Sequence, residues 1–310
     1  MTQGYIAIGY MCNQSCSFCP CSKAEKRYPI PALEELKRAV ESMIEDSRID
    51  SVVVSGGEPT IHPDFIDFIK YLCEKELRIT ILSNSERFSD QKFADRFLKA
   101  VQTDQIELIT TIHSHLEKEH EAVNGAKGSF RRTIDGLLRI GSGGIHTTVK
   151  HCITKANYKD LRKFYEFIDR MFPQETDIQM CSIDYCGLTE ENKYDYMVVF
   201  PELYPCFEEM FDLYLEKKNS GNVRHMYCIN MPLCSLDPYY WEFVAPKIKS
   251  YSNYAAPTER GKADVETGAD DFIGTLGKGC RSCKAEPICA GTYRTAFEYF
   301  GDRIIRPYEE

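Results

Sequence analysis

The stretch "YIAIGYMCNQSCSFCPC", residues 5 to 21, sets four cysteines directly behind an apolar run, Tyr5–Tyr10. The run reads as a strand, and the crowded thiols as a loop at its end. Cys12, Cys16 and Cys19 form C-x3-C-x2-C. Structural zinc takes four protein ligands, commonly as two C-x2-C pairs. Three thiolates from one short loop suit an iron–sulfur cube better, because each holds a corner and the fourth iron stays open for a substrate or cofactor. Cys21, two residues past Cys19 in a Cys-Pro-Cys turn, is the alternative fourth ligand.

The rest of the chain supports a metal role for these thiols. There are fourteen cysteines among 310 residues. The N-terminus has neither a basic region nor a continuous apolar stretch of the signal-peptide kind, and the longest apolar runs, such as Ser51–Ser55, are far too short for a bilayer. The expectation is a cytoplasmic protein with no membrane contact, where clustered thiols bind metal instead of pairing as disulfides. A net charge of −9 argues against non-specific nucleic-acid binding. Hydrophobic content of 43% suffices for a packed core.

Working outward, apolar strand patterns recur at Ser51–Ser55, Ile79–Ser83, Ile106–Ile112, Ile145–Cys152 and Asp177–Ile183. Helical patterns lie between them: Leu33, Leu36, Val40, Met43 and Ile44 share a face, as do Leu161, Phe164, Ile168 and Met171. Six βα units in series predict an α/β fold with a parallel sheet and right-handed crossovers, open or closed into a barrel. Chemistry then collects at the C-terminal ends of the strands. Cys12–Cys21, Gly56–Thr60, Asn84, His113–His115 and Cys181–Cys186 each follow a different strand. The rhythm fails beyond residue 186. Residues 1–186 are expected to form the core domain and 187–310 a smaller, largely irregular extension, with one helix near Glu202–Lys218 and a glycine-containing loop near Gly261–Gly279.

The cysteine spacing, with Phe18 just before the third cysteine, resembles the signature of the radical S-adenosylmethionine (SAM) enzymes. Gly56-Gly57-Glu58-Pro59, behind the second strand, is similar to that family's GGEP motif. Its glycines allow close backbone approach, and Glu58 offers an acceptor for an ammonium. The resemblance implies a partial (β/α)6 TIM-type barrel whose [4Fe-4S] cluster binds the amino and carboxylate groups of SAM. One electron then cleaves the sulfonium, and the 5′-deoxyadenosyl radical abstracts a hydrogen atom from substrate. By the same resemblance Asn84, His113 and Ser114 lie near SAM, and a flavodoxin- or ferredoxin-type protein delivers the electron. Solvated histidines opening a helix are the plainer reading of His113–His115.

A second group, Cys280-x2-Cys283-x5-Cys289, also suits iron–sulfur or zinc. Cys234 is the expected fourth ligand and Cys228 its rival. The run resembles the SPASM and twitch extensions of radical SAM enzymes, which hold auxiliary [4Fe-4S] clusters. It departs from full SPASM at Tyr293, where that pattern has its last cysteine, so one auxiliary cluster is expected, as an electron relay. Cys73 and Cys152 read as core residues. Cys181 is placed to give a hydrogen atom to a substrate radical and Asp184 to act as a base; a buried cysteine beside a turn aspartate is the plainer alternative. Cys186, Cys206 and Cys228 are further donor candidates. Trp241, within Tyr239–Phe243, reads as hydrophobic cover.

The family resemblance leads to modification of a peptide or protein residue as the first expectation. A small-molecule oxidoreductase, such as a sugar or cyclitol dehydrogenase, is the alternative. A strand starting at Tyr5 is expected to leave no room for a preceding peptide-recognition domain, so a short leaderless contact or a separate partner protein is expected to replace it. A non-catalytic iron–sulfur carrier does not account for Gly56–Pro59.

Overall fold

The computed structural model describes residues 3–245, 253–260, 262–267 and 274–308. They form two compact units, residues 1–111, 121–148 and 251–270 in the first and 112–120, 149–250 and 271–310 in the second. Residue 186 lies inside the second. Part of the Gly261–Gly279 loop (261 and 268–273) is outside the described residues.

Strands β1 (Gln3–Ala7), β2 (Ser51–Ser55), β3 (Arg78–Leu82), β4 (Ile106–Thr111) and β5 (His146–Cys152) alternate with helices α1 (Leu33–Ser47), α2 (Phe65–Glu74), α3 (Gln91–Ala100), α4 (Glu117–Asn124) and α5 (Ser129–Ser142). The chain continues through α6 (Leu161–Met171), β6 (Asp177–Cys181), α7 (Lys193–Tyr196), α8 (Tyr204–Asn219), β7 (Met226–Ile229), β8 (Asn253–Pro257), β9 (Ala263–Thr267) and α9 (Arg294–Phe300). This is the expected α/β class with parallel strands.

In the first unit the strand order is β5-β4-β3-β2-β1-β8-β9. Parallel registers run Gln3↔Ser51 to Ala7↔Ser55, Ser51↔Arg78 to Val54↔Ile81, and Ile79↔Ile106 to Leu82↔Ile109. Val52, Val53 and Val54 are buried in succession, as a strand covered on both faces requires. Asp90 caps α3 by accepting from the Phe93 N–H at 3.1 Å. Below it Phe65, Phe88 and Phe97 pack with ring centroids 5.1–6.3 Å apart. In the second unit the order is β7-β6-β5, with β5 shared by both units, and Ile178↔Met226 opens the β6–β7 register. There α6 buries Leu161, Phe164, Tyr165, Phe167 and Ile168.

The region after residue 186, expected to be largely irregular, holds short strands that the sequence does not flag. The helix near Glu202–Lys218 is present as α8; β7 pairs with β6 in the second unit, and β8 and β9 belong to the first. β8 pairs with β1 in parallel (Gly4↔Asn253) and with β9 antiparallel (Asn253↔Thr267). These strands are four or five residues long, and Asn253-Tyr-Ala-Ala-Pro257 shows no apolar alternation to flag it. Among the described residues, no helix is long and apolar enough to cross a membrane.

Candidate functional site

The leading cysteine loop leaves β1 and is clamped from two sides within the first unit. On one side lies Gly56–Glu58: the Gly57 N–H donates to the Gly9 carbonyl at 2.7 Å and the Glu58 N–H to that of Met11 at 2.8 Å. Gly56 sits at φ +135°, and a β-carbon there would run into the Gly9 carbonyl oxygen. A β-carbon at Gly57 would meet the carbonyl oxygens of Met11 and Tyr10. Both glycines are therefore required by the loop they hold, which adds to the ligand-approach reason read from the sequence. On the other side the Ser15 and Ser17 N–H groups donate to the Asn124 and Val123 carbonyls at 2.8 and 2.9 Å.

Cys12, Cys16, Cys19, Cys21 and Phe18 are half-buried on this loop. Burial pushes the Cys12 thiol up to about 11. A hydrogen bond from the Cys21 thiol pulls Cys19 down to about 6 and pushes Cys21 up. Cys12, Cys16 and Cys19 could hold an iron–sulfur cluster. Among all described residues, no three His, Cys, Asp or Glu side chains converge on a single metal ion.

Glu58 is 3% exposed. Its Oε1 accepts from the Thr60 N–H (3.0 Å), the Thr60 hydroxyl and the Ser83 hydroxyl (2.7 Å); its Oε2 accepts from the Asn84 N–H (2.7 Å). Burial pushes the carboxyl up, against the lowering effect of those donors. Three donors crowd Oε1 and one reaches Oε2, so Oε2 is the oxygen with room for a further N–H. Pro59 is buried in the turn that follows, and the Asn84 side chain donates to Asn13 Oδ1 at 2.8 Å. The sequence pointed to Cys12, Gly56–Pro59 and Asn84 one by one; the fold ties Gly57 and Glu58 to the cysteine loop through the main chain, and Asn84 to the Glu58 carboxylate through its N–H. Gln14, Glu86 and Arg132 belong to the same network, yet a glutamine, a glutamate and an arginine carry no motif.

In the second unit Cys234, Cys280, Cys283 and Cys289 line one cavity of about 310 Å³, its solvent-open mouth included. Cys234 is pushed up to about 12, first by burial and then by the other three sulfurs. Main-chain N–H groups point at these sulfurs: Leu233 and Gly291 onto Cys289 (both 3.4 Å) and Tyr308 onto Cys283 (3.3 Å). Cys228 does not line the cavity; it is fully buried in β7. Tyr293 is half-buried, and its hydroxyl accepts from Asn230 at 2.8 Å. Trp241 donates to the Leu233 carbonyl at 3.1 Å and packs edge-on to Tyr308, as cover over the segment that carries Cys234.

Elsewhere in that unit the Cys181 thiol donates to Cys152 at 3.6 Å, which lowers Cys152 to about 7 and raises Cys181. Asp184 accepts from the Thr295 hydroxyl at 2.5 Å. Cys186 and Cys206 are half-buried. Ser114 donates to Glu119 at 2.6 Å and accepts from the Leu116 N–H at 3.1 Å, shaping the entry to α4. His113 is buried, not solvated, and its N–H donates to His120 Nδ1 at 3.1 Å.

His151 stacks on Phe164 (3.8 Å between centroids) and hydrogen-bonds the Ile112 carbonyl at 2.9 Å. Burial depresses it from 6.5 to about 4. Between those values the unfolded chain binds more protons, so this group's contribution is complete above about pH 6.5 and is lost as pH falls toward 4. Its size is on the order of 3 kcal/mol. His151→Asn is expected to flatten that part of the stability–pH profile measured by urea unfolding; an unchanged slope between pH 6.5 and 4 would refute the assignment.

The family model described as the radical SAM superfamily matches residues 6–168. Among curated proteins, the subtilosin biosynthesis protein AlbA of Bacillus subtilis is 22% identical over 152 residues, 48% of this chain and 33% of AlbA. The mycofactocin maturase MftC of Mycobacterium ulcerans is 24% identical over 164 residues, 53% of this chain and 43% of MftC. The chain thus spans less than half the length of these relatives. Among solved structures, Streptococcus suis SuiB bound to its precursor peptide SuiA aligns over 98% of this chain and 75% of SuiB, with a TM-score of 0.66 and 17% identity. Native anSMEcpe with bound AdoMet aligns over 94% of this chain and 89% of its own, with a TM-score of 0.66 and 15% identity. These likenesses show the fold to be that of the partial-barrel radical SAM enzymes. With the matched segment covering the cysteine loop and the Gly56–Pro59 clamp, the chain belongs to the radical SAM superfamily.

Proposed function

We propose that this radical SAM enzyme modifies a residue of a peptide or protein, and that it carries an auxiliary [4Fe-4S] cluster beside the one that binds SAM. The observation that carries the reading is the cavity lined by Cys234, Cys280, Cys283 and Cys289, with main-chain N–H groups on its sulfurs. Four thiolates with N–H···S support are the donor set of a thiolate-held cluster. The peptide assignment is supported by the names of the relatives: a bacteriocin biosynthesis protein, a maturase and a structure containing a precursor peptide.

In this reading Cys12, Cys16 and Cys19 hold the first cluster. With SAM bound, that cluster supplies a 5′-deoxyadenosyl radical that takes a hydrogen atom from substrate. Gly56–Pro59 and Asn84 frame the SAM amino group, which Oε2 of Glu58 accepts, and Phe18 packs beside the loop. Cys234, Cys280, Cys283 and Cys289 hold the relay cluster, which a SPASM/twitch-like segment provides, and Tyr293 marks the absence of a second set. Cys181 is the hydrogen-atom donor and Asp184 the base. A flavodoxin- or ferredoxin-type protein brings the electron.

Protein reconstituted without oxygen and given dithionite and SAM is expected to release 5′-deoxyadenosine. Peptides deuterated at candidate positions should pass the label into it. Label arriving from a sugar or cyclitol and from no peptide would refute the peptide assignment; no 5′-deoxyadenosine from cluster-replete protein would refute the site assignment.

A further inference from the structure

Within residues 11–21, Gln14 alone is buried. A buried amide must place both its ends. The Gln14 side-chain N–H donates to Glu86 Oε1 at 2.8 Å, its Oε1 accepts from the Cys16 thiol at 3.6 Å, and its main-chain N–H donates to Cys12 Sγ at 3.4 Å. Chemistry fixes the orientation of this amide. A carboxylate only accepts, so Nε2 must face Glu86, and the oxygen is left for Cys16.

Glu86 is itself immobilised. It is 5% exposed, its Oε2 accepts from Arg132 Nε at 2.6 Å, and its main-chain N–H donates to Asn84 Oδ1 at 3.1 Å. Asn84 in turn donates to Asn13 Oδ1 at 2.8 Å, so the turn after β3 grips the cysteine loop at two adjacent residues. Arg132 is nearly half exposed.

We propose that Glu86 is a positioning residue that acts through Gln14: it keeps an oxygen, not an N–H, against Cys16, and so holds the cluster of this loop at low reduction potential. The inference rests on the reading that this loop carries the SAM-binding cluster. Potentials of such clusters rise with hydrogen bonds to sulfur and fall with negative charge nearby. The fixed amide withholds one hydrogen bond from Cys16, and the buried carboxylate adds one negative charge. Both make the cluster a stronger electron donor, the direction that reductive cleavage of a sulfonium requires.

The test is a redox titration of the loaded protein, followed on the EPR signal that SAM perturbs. Glu86→Gln removes the charge and frees the Gln14 amide to turn its N–H toward Cys16. The cluster should become easier to reduce by ~10-fold, or ~59 mV for one electron, with iron content and thermal midpoint close to wild type. Arg132→Gln removes the counter-charge and leaves the amide fixed, so its potential should move the other way, by less. Shifts of opposite sign support the proposal. An unchanged potential in Glu86→Gln, or shifts of the same sign in the two variants, overturns it. Should Glu86→Gln fail to fold, an unchanged or raised potential in Arg132→Gln is enough to overturn it. A wild-type protein with no SAM-perturbed signal would refute the cluster reading instead, so the two failures are distinguishable.

Discussion

Gly57→Ala is expected to strip the leading cysteine loop of its iron and to lower the stability of the metal-free protein. The added methyl would overlap the main-chain carbonyl oxygens of Met11 and Tyr10, which have no rotamer to escape into. Retreat is blocked because the Gly57 N–H is bonded to Gly9 and the Glu58 N–H to Met11. The displaced segment ends one residue before Cys12, so the first sulfur of the site moves with it. Overpacking of this kind costs about 2–3 kcal/mol, a fall in thermal midpoint of roughly 3–5 °C. Gly9→Ala is the control: its added carbon would meet only Ile30, at 3.9 Å, and should leave iron and midpoint unchanged. Full iron occupancy in Gly57→Ala would show that the clamp does not position the loop.

The double variant Cys280→Ala/Cys283→Ala should lose half the iron and sulfide of wild type while keeping the SAM-perturbed EPR signal of the leading loop. Both thiols are half-exposed, so the fold should tolerate the change. The two remaining sulfurs on that cavity, Cys234 and Cys289, are too few to hold a cluster. The colorimetric iron count decides the matter. Wild-type iron in the double variant would mean that these cysteines hold no cluster.

Much of the first unit was legible in the sequence because each strand is a short apolar run closed by a turn. The valines of β2 and the glycines behind them leave little choice. The reading failed where the signal is main-chain geometry. β8 has a tyrosine and two alanines before its proline, and its register with β1 is parallel from Gly4↔Asn253 to Ile6↔Ala255. The grip on the cysteine loop was hidden for a similar reason. Glu86 and Gln14 lie 72 residues apart, and nothing in either neighbourhood marks a buried pair. For His113 the resemblance suggested a place near SAM and its polar neighbours a solvated one; the fold sinks that side chain against His120. The sequence left Cys228 as a rival to Cys234; Cys234 lines the cavity and Cys228 does not.

The pairing of β8 with β1 carries a consequence for biosynthesis. β1 gains its partner on that flank only after residue 253 has been made. Until then it presents unpaired amide and carbonyl groups along one side, a template for wrong strand partners. Nascent chains paused before that point would combine an open strand with a row of bare thiols, which makes late translation the interval of greatest exposure to oxygen and aggregation.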